Sequence, residues 1–323
     1  MEKHILVTGG AGFIGSHLVE RLLASGRAVT VIDDCSTGAW TNLAGVPSGA
    51  KLTRISGKVS EVTGLRELVE NSEAIFHLAA VVGVELVIHS SIQTIETNLL
   101  ETKAILSAAS EFRVPIVITS TSEVYGKSIK PEFSEDDDLL IGPPHLSRWS
   151  YACSKLMDEF LALAHARDRG LPVVIARLFN TVGPRQTGRF GMVLPRFIQA
   201  ARRGEPLRVY GNGEQTRCFC FVGDVVEALL ALQQQEAARG QVFNIGSSDE
   251  ITIVELAREV IRTLGSGSIV EYVPYEKAYA PGFEDMMRRR PNVEKLRRVT
   301  GMQPSTSLRR IIEVTAASMG SQE

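Results

Sequence analysis

Short apolar runs rich in β-branched residues occupy positions 4–8, 28–33, 51–56, 74–78, 114–120 and 172–177. Between them, residues 14–25, 62–70, 92–112 and 151–169 carry apolar side chains at helical spacing. A strand that is apolar on both faces must be covered on both faces, so this alternation predicts an α/β fold: a Rossmann-like, doubly wound parallel sheet between layers of helix. Beyond Gly183-Pro184 the alternation loosens into a helix at 193–203, a strand at 207–210 and helices at 222–234, 253–264 and 308–317. A smaller α/β unit at the C-terminal end is expected to close over the first. GSGS at 265–268 is too short to link independent domains, and no internal repeat is present.

TGGAGFIG, residues 8–15, directly follows the first strand and opens the first helix. Gly9, Gly12 and Gly15 permit a tight turn, close approach of backbone to a pyrophosphate, and close packing of helix on strand. The helix N-terminus then attracts the phosphate charge. Asp33 ends the second strand, where an acid accepts hydrogen bonds from the adenosine ribose hydroxyls and repels a 2'-phosphate. NAD is the expected cofactor, bound over residues 1–180, with the substrate domain over 181–323 and elements free to cross between them. Asp33 and Asp34 also suit a simple turn.

TSEVYG, residues 121–126, follows the apolar run VPIVITS. In an open parallel sheet the carboxyl ends of the strands face the ligand crevice, which makes Glu123 a candidate for chemistry. SYACSK sets Tyr151 and Lys155 four residues apart on one helix face. A lysine ammonium near a phenol favours the phenolate, so the tyrosine pKa is expected to fall from about 10.

With 44% apolar residues, 22% charged and a net charge of −2, the chain has the composition of a globular protein with a sizeable core and no basic footprint for nucleic acid. MEKHILVTGG has too short an apolar run for a signal peptide or spanning helix, so no membrane partner and a cytoplasmic location are expected. Cys35, Cys153, Cys218 and Cys220 form no CxxC pair and read as free thiols. The six histidines are scattered, and His77 in AIFHLAA reads as a packed core residue, so no metal is implied. EDDD, residues 135–138, reads as a solvated loop.

Taken in order, TGGAGFIG, HLAA (77–80), STSEVYG, YACSK, RLFNTVGPRQ (177–186) and YGNGEQTRCFCFVGDV (210–225) resemble the extended short-chain dehydrogenases/reductases that act on nucleotide sugars, the NAD-dependent epimerase/dehydratase group. That resemblance implies cofactor contacts from Gly9, Gly12, Phe13, Ile14, Gly15 and Asp33, then from Leu78, Ala79, Ala80, Asn98, Tyr151 and Lys155. It implies that Tyr151 removes the sugar 4-hydroxyl proton as C4 is oxidised to a ketone, and that Thr121 or Ser122 hydrogen-bonds O4. It implies a UDP-sugar held at its diphosphate by Asn180, the stretch from Val193 to Phe197, Tyr210 and Arg217, with Arg185 a further contact, and a homodimer formed through the helices at 92–112 and 151–169. Where the family usually carries an aspartate contacting adenine after the third strand, this chain reads Gly57-Lys58-Val59, so that contact is not carried over.

Glu123 separates the reactions open to such a family. Simple 4-epimerases usually place a small hydroxyl residue there, whereas an acid implies proton traffic at C5. FEDMMRRRPNV, residues 283–293, resembles the segment that delivers an active-site arginine in UDP-glucuronate decarboxylases, with Arg289 in that position. A guanidinium can hold a carboxylate bidentately. Arg288–Arg290 could equally form a solvated basic turn, since three adjacent arginines cannot all enter one site. A UDP-glucuronate decarboxylase giving UDP-xylose is the leading expectation, ahead of a 4-epimerase of UDP-glucuronate or UDP-glucose and then a 4,6-dehydratase. A non-catalytic nucleotide sensor on the same fold would be expected to lack Tyr151 or Lys155.

Overall fold

A computed structural model describes residues 3–81, 90–188, 192–274 and 286–319. The expected strands form as β1 (His4–Thr8), β2 (Val29–Asp33), β3 (Leu52–Ser56), β4 (Ser72–His77), β5 (Ile116–Thr121) and β6 (Val173–Leu178). A seventh strand, Gln241–Ile245, joins them, and the order across the sheet is Gln241–Ile245, β6, β5, β4, β1, β2, β3, every pair parallel. Successive side chains enter opposite cores: Val7, Val31 and Phe76 pack on one face, and Leu6, Ile32 and Ile75 on the other. The strand order reverses between β1 and β4, where Thr8 lies in register with His77. That switch point opens the crevice at the carboxyl ends.

Among the described residues the helices are α1 (Phe13–Ala24), α2 (Leu65–Glu70), α3 (Ser91–Phe112), α4 (Arg148–Arg169), α5 (Val193–Arg203), α6 (Val222–Gln234), α7 (Ile253–Leu264), α8 (Glu294–Thr300) and α9 (Leu308–Met319). Helix α2 starts at Leu65, later than the apolar spacing predicts, because Gly64 at φ +79° turns the chain just before it. Helix α4 starts at Arg148, one turn earlier than expected, and so brings an arginine onto the Tyr151 face. A separate core of Leu194, Ile198, Leu207, Val209, Leu256 and Ile311 holds the smaller unit together. Val225, Leu229 and Phe243 pack instead in the core of the large sheet, so the chain returns to it after residue 181.

The acidic run at 135–138 is more than a solvated loop. Glu135 accepts the Asn244 N–H at 2.9 Å, and burial first of all pushes its pKa up. Here the run ties the edge of the sheet.

His77 is fully buried between Thr8 Oγ1 at 2.7 Å from Nδ1 and Thr102 Oγ1 at 3.1 Å from Nε2. Burial, aided by the Lys155 charge, holds its pKa down at about 3. The unfolded chain therefore takes up this proton first, and stability is complete above the ordinary 6.5 and lost as pH falls toward 3. Between pH 6.5 and 5 the unfolding free energy is expected to drop by about 2 kcal/mol from this group, at 1.36 kcal/mol per unit. Urea titrations of the wild type and of His77→Gln across that range measure it; an equal slope in both would exclude His77 as the cause.

Candidate active site

The crevice is a cleft of about 470 Å³ that runs from Gly9 and Asp33 past Tyr151 to Tyr210 and Arg217. At one end the glycine turn leaves no room for side chains. A Cβ on Gly15 would stand 2.1 Å from the Gly9 carbonyl oxygen, and one on Gly9, at φ +72°, would stand 2.7 Å from the Ala79 nitrogen. Gly12 caps α1 without a side-chain bond, and no acid stands in the first turn, so the leading N–H groups are free to meet an anion. Asp33 accepts N–H bonds from Ala11 and Cys35, both at 2.8 Å. Burial raises its pKa, while these donors oppose the rise. With the Gly12 N–H as a third backbone donor, the carboxylate's roughly four acceptor sites leave room for a ribose hydroxyl. Phe13, Ile14, Leu78, Ala79 and Ala80 line the same end. These residues fit a dinucleotide: a pyrophosphate at the helix terminus and a ribose at the acid.

Asn98 stands behind this wall. It accepts the Val81 N–H at 2.8 Å and donates to Ser154 at 3.0 Å, so it holds the 79–81 segment in place and is not itself among the cleft-lining residues.

In the middle of the cleft, Thr121 and Ser122 leave β5 and face Tyr151 and Lys155 on α4. The expectation for the phenol is reversed here. Burial raises the Tyr151 pKa, Glu123 and Asp158 raise it further, and hydrogen bonding with Thr121 only partly opposes them. Burial is the first cause, and Lys155 does not offset it: its buried ammonium donates to Asp158, one turn on, at 2.8 Å.

Glu123 sits between two arginines. Arg289 Nη1 donates to its Oε1, and Arg148 Nη2 to its Oε2 at 3.2 Å. Burial alone would raise its pKa, but Arg289, Arg148 and Arg217 overcome that and lower it. The group is a carboxylate at neutral pH. Of the three adjacent arginines, only Arg289 lines the cleft: Arg288 turns to Glu250 at 2.7 Å and Arg290 to Glu132 at 3.7 Å. Hydrogen bonds between Phe133 and Arg290, and between Asn292 and Phe133, pin the segment around Pro291. Residues 283–285 of the FEDMMRRRPNV stretch lie outside the described residues.

At the far end, Asn180, Val193, Tyr210 and Arg217 all line the cleft. Arg217 is buried and donates to the carbonyls of Thr216 and Met286. Arg185 does not join them. Its guanidinium donates to both carboxylate oxygens of Glu20, each at 2.7 Å, and to Ser16, so it clamps the 184–186 turn onto α1. Arg196, which donates to Tyr210, and Arg148 also line the cleft, and neither was singled out from the sequence. The spacing 148, 151, 155 placed Arg148 on the Tyr151 face once the helix was extended by one turn. Arg196 lies within the stretch from Val193 to Phe197 that the resemblance assigns to the diphosphate, with nothing in the spacing to mark it individually. The arginines at this end greatly outnumber the one acid, Glu123, an arrangement suited to an anionic ligand.

Among the described residues no cluster of three potential metal ligands occurs, and no helix is long and apolar enough to cross a membrane. Residues 5–246 match the NAD dependent epimerase/dehydratase family. The chain is 44% identical over 308 residues to the UDP-N-acetyl-alpha-D-glucosaminuronate decarboxylase of Bacillus cytotoxicus, covering 95% of this chain and 94% of that one. It is 35% identical to UDP-glucuronic acid decarboxylase 6 of Arabidopsis thaliana, covering 94% and 85%. The fold superimposes with a TM-score of 0.90, at 27% identity over 100% of this chain and 99% of the other, on the UDP-N-acetylglucosamine 4-epimerase of Methanobrevibacter ruminantium M1 in complex with UDP-N-acetylmuramic acid. A dinucleotide cradle at the switch point and this match over three quarters of the sequence agree: the chain is an NAD-dependent enzyme of the NAD dependent epimerase/dehydratase family.

Proposed function

We propose that this enzyme decarboxylates a UDP-linked hexuronic acid, with UDP-N-acetylglucosaminuronate ahead of UDP-glucuronate because the higher identity is to the decarboxylase named for the acetamido sugar. One observation carries the reading. Arg289 spends Nη1 on Glu123, yet its Nε is buried and finds no partner among the described residues, in the cleft that holds Tyr151 and Lys155. A buried donor left unpaired is costly, and a substrate carboxylate would satisfy it.

When bound, NAD+ supplies a hydride acceptor for C4 of the sugar, the donor for the return step, and a positive ring charge. Tyr151 takes the 4-hydroxyl proton as its phenolate, a form that burial, Glu123 and Asp158 disfavour and that rising pH favours. Thr121 and Ser122 hold O4. A ketone at C4 makes the sugar a β-keto acid: the bond from C5 to the carboxylate breaks, its electron pair enters the C4 carbonyl as an enolate, CO2 leaves, C5 takes a proton from solvent water, and the hydride and the Tyr151 proton return to C4 and O4. Glu123, being ionised, cannot donate that proton directly. It fixes Arg289 and Arg148 and, by like-charge repulsion, turns the substrate carboxylate toward the arginines. Lys155 and the Asp33 end of the cleft hold the cofactor, and Arg217, Arg196 and Tyr210 hold the diphosphate.

Incubation with NAD+ and each uronate, with CO2 measured and the product identified by NMR, tests this. CO2 with a pentose nucleotide is the expected result. A C4-inverted uronate without CO2 would make the enzyme a 4-epimerase, and no conversion of either sugar would remove both readings.

The proposed working unit is a homodimer, soluble in the cytoplasm. Helices α3 and α4 pack side by side and leave Ile92, Leu100, Met157 and Phe160 exposed. Two such faces from two copies would form a four-helix layer. Phe160→Glu is expected to shift the mass measured by light scattering from dimer to monomer; a wild-type monomer at micromolar concentration would remove the dimer.

A further inference from the structure

The adenosine end of the cleft is walled by Gly57, Lys58 and Val59, after β3, and by Thr97 and Glu101 on α3. Lys58 offers donors only, and its ammonium lies 3.4 Å from Glu61 at the surface. Glu101 is the carboxylate on this wall. It is 4% exposed, and its bonds are to neutral groups: Oε2 accepts the Val59 N–H, Oε1 the Ser60 hydroxyl, and the Ser60 N–H is shared between the two oxygens at 3.4 Å. Among the described residues no cation pairs with it. A carboxylate has about four acceptor sites and three donors reach this one, the Ser60 N–H only at 3.4 Å, so room for one further donor remains on a group whose burial is costly without strong donors.

We propose that Glu101 reads the adenine amino group of the dinucleotide, supplying from helix α3 the acceptor that the end of β3 lacks. The inference rests on the NAD reading of the cleft. The adenine 6-amine is a donor with no acceptor capacity, which complements a carboxylate, whereas a 6-oxo purine would bring two acceptors together. The bonds to Val59 and Ser60 do a second job: they fix the carboxylate against the turn so that it meets the base at a set position.

The test is a binding titration on protein freed of cofactor, with NAD+ and with 1,N6-ethenoadenine dinucleotide, whose fused ring removes both amine hydrogens. Wild type is expected to bind NAD+ about tenfold tighter, the scale of one charge-assisted hydrogen bond. In Glu101→Gln the amide oxygen is drawn to the Val59 N–H and the NH2 turns toward the base, so the preference is expected to collapse to within about twofold. A clip that merely held the turn would weaken both ligands alike and leave the ratio unchanged, and that result overturns the proposal. Equal affinity in wild type overturns it too, while absence of any NAD+ binding overturns the cofactor reading instead. If Glu101→Gln does not fold, NAD+ labelled with 15N at the amine decides the matter on wild type: its amine protons are expected to move downfield on binding, and unshifted protons in the saturated complex would contradict the assignment.

Discussion

Tyr151→Phe is expected to lower turnover by about 10²–10⁴-fold, the usual contribution of a positioned acid–base group, with little change in affinity for NAD+ or UDP. The phenyl ring keeps the volume of a side chain that packs in the middle of the cleft, and only the hydroxyl that faces Thr121 is lost. Burial together with Glu123 and Asp158 holds this phenol protonated, so the rate of the wild type is expected to rise with pH well above neutrality. The variant must lose that dependence. Pre-steady-state assays of CO2 release, alongside calorimetric titration of UDP, separate a lost proton transfer from lost binding. Full turnover in Tyr151→Phe would leave the chemistry to another group and reopen the reading of the fold as a binding module.

Glu123→Gln carries the second large effect. CO2 release is expected to fall by about 10²–10³-fold, the loss typical of one preorganised charge, while a 4-keto uronate two mass units below the substrate accumulates and is detected by mass spectrometry. Stability is also expected to drop by about 3 kcal/mol, because Arg289 and Arg148, with side chains only 14% and 9% exposed, lose their shared counter-ion. The pH behaviour follows from the lowered pKa: the ion pairs are complete above the ordinary carboxylate value of 4.5 and are lost only as pH falls through the lower folded value. An acid limb near neutrality in the wild-type rate therefore belongs to a different group. If CO2 release in the variant matched the wild type, Glu123 would have no part in the second half of the reaction.

The glycine turn, Asp33 and the Tyr151–Lys155 pair were legible because each is a local matter. Three glycines between a strand and a helix, an acid at the next strand end, and two residues four apart on a helix are set by neighbours along the chain. Element boundaries moved by only a few residues, and where they moved a cause is visible, as with Gly64 before α2. The shift at α4 mattered more than its length, since it supplied Arg148.

Charge state and pairing were not legible in this way. Lys155 stands at the right spacing to lower the Tyr151 pKa, yet burial of the phenol, with Glu123 and Asp158 nearby, raises it instead, and the Lys155 ammonium pairs with Asp158. Arg185 belongs to a motif facing the cleft but is held by Glu20, 165 residues earlier. Arg289 is selected from three consecutive arginines only by the pinned backbone around Pro291, and it meets Glu123 across 166 residues of chain. Glu101 meets Val59 from another helix. The sequence by itself thus determined six of the seven strands of the sheet, the glycine turn and the helix face shared by Tyr151 and Lys155, since side-chain periodicity and backbone permissiveness are properties of adjacent residues. Tertiary structure alone decided which charged groups share the cleft, because burial and Coulomb interactions act through space and are indifferent to distance along the chain.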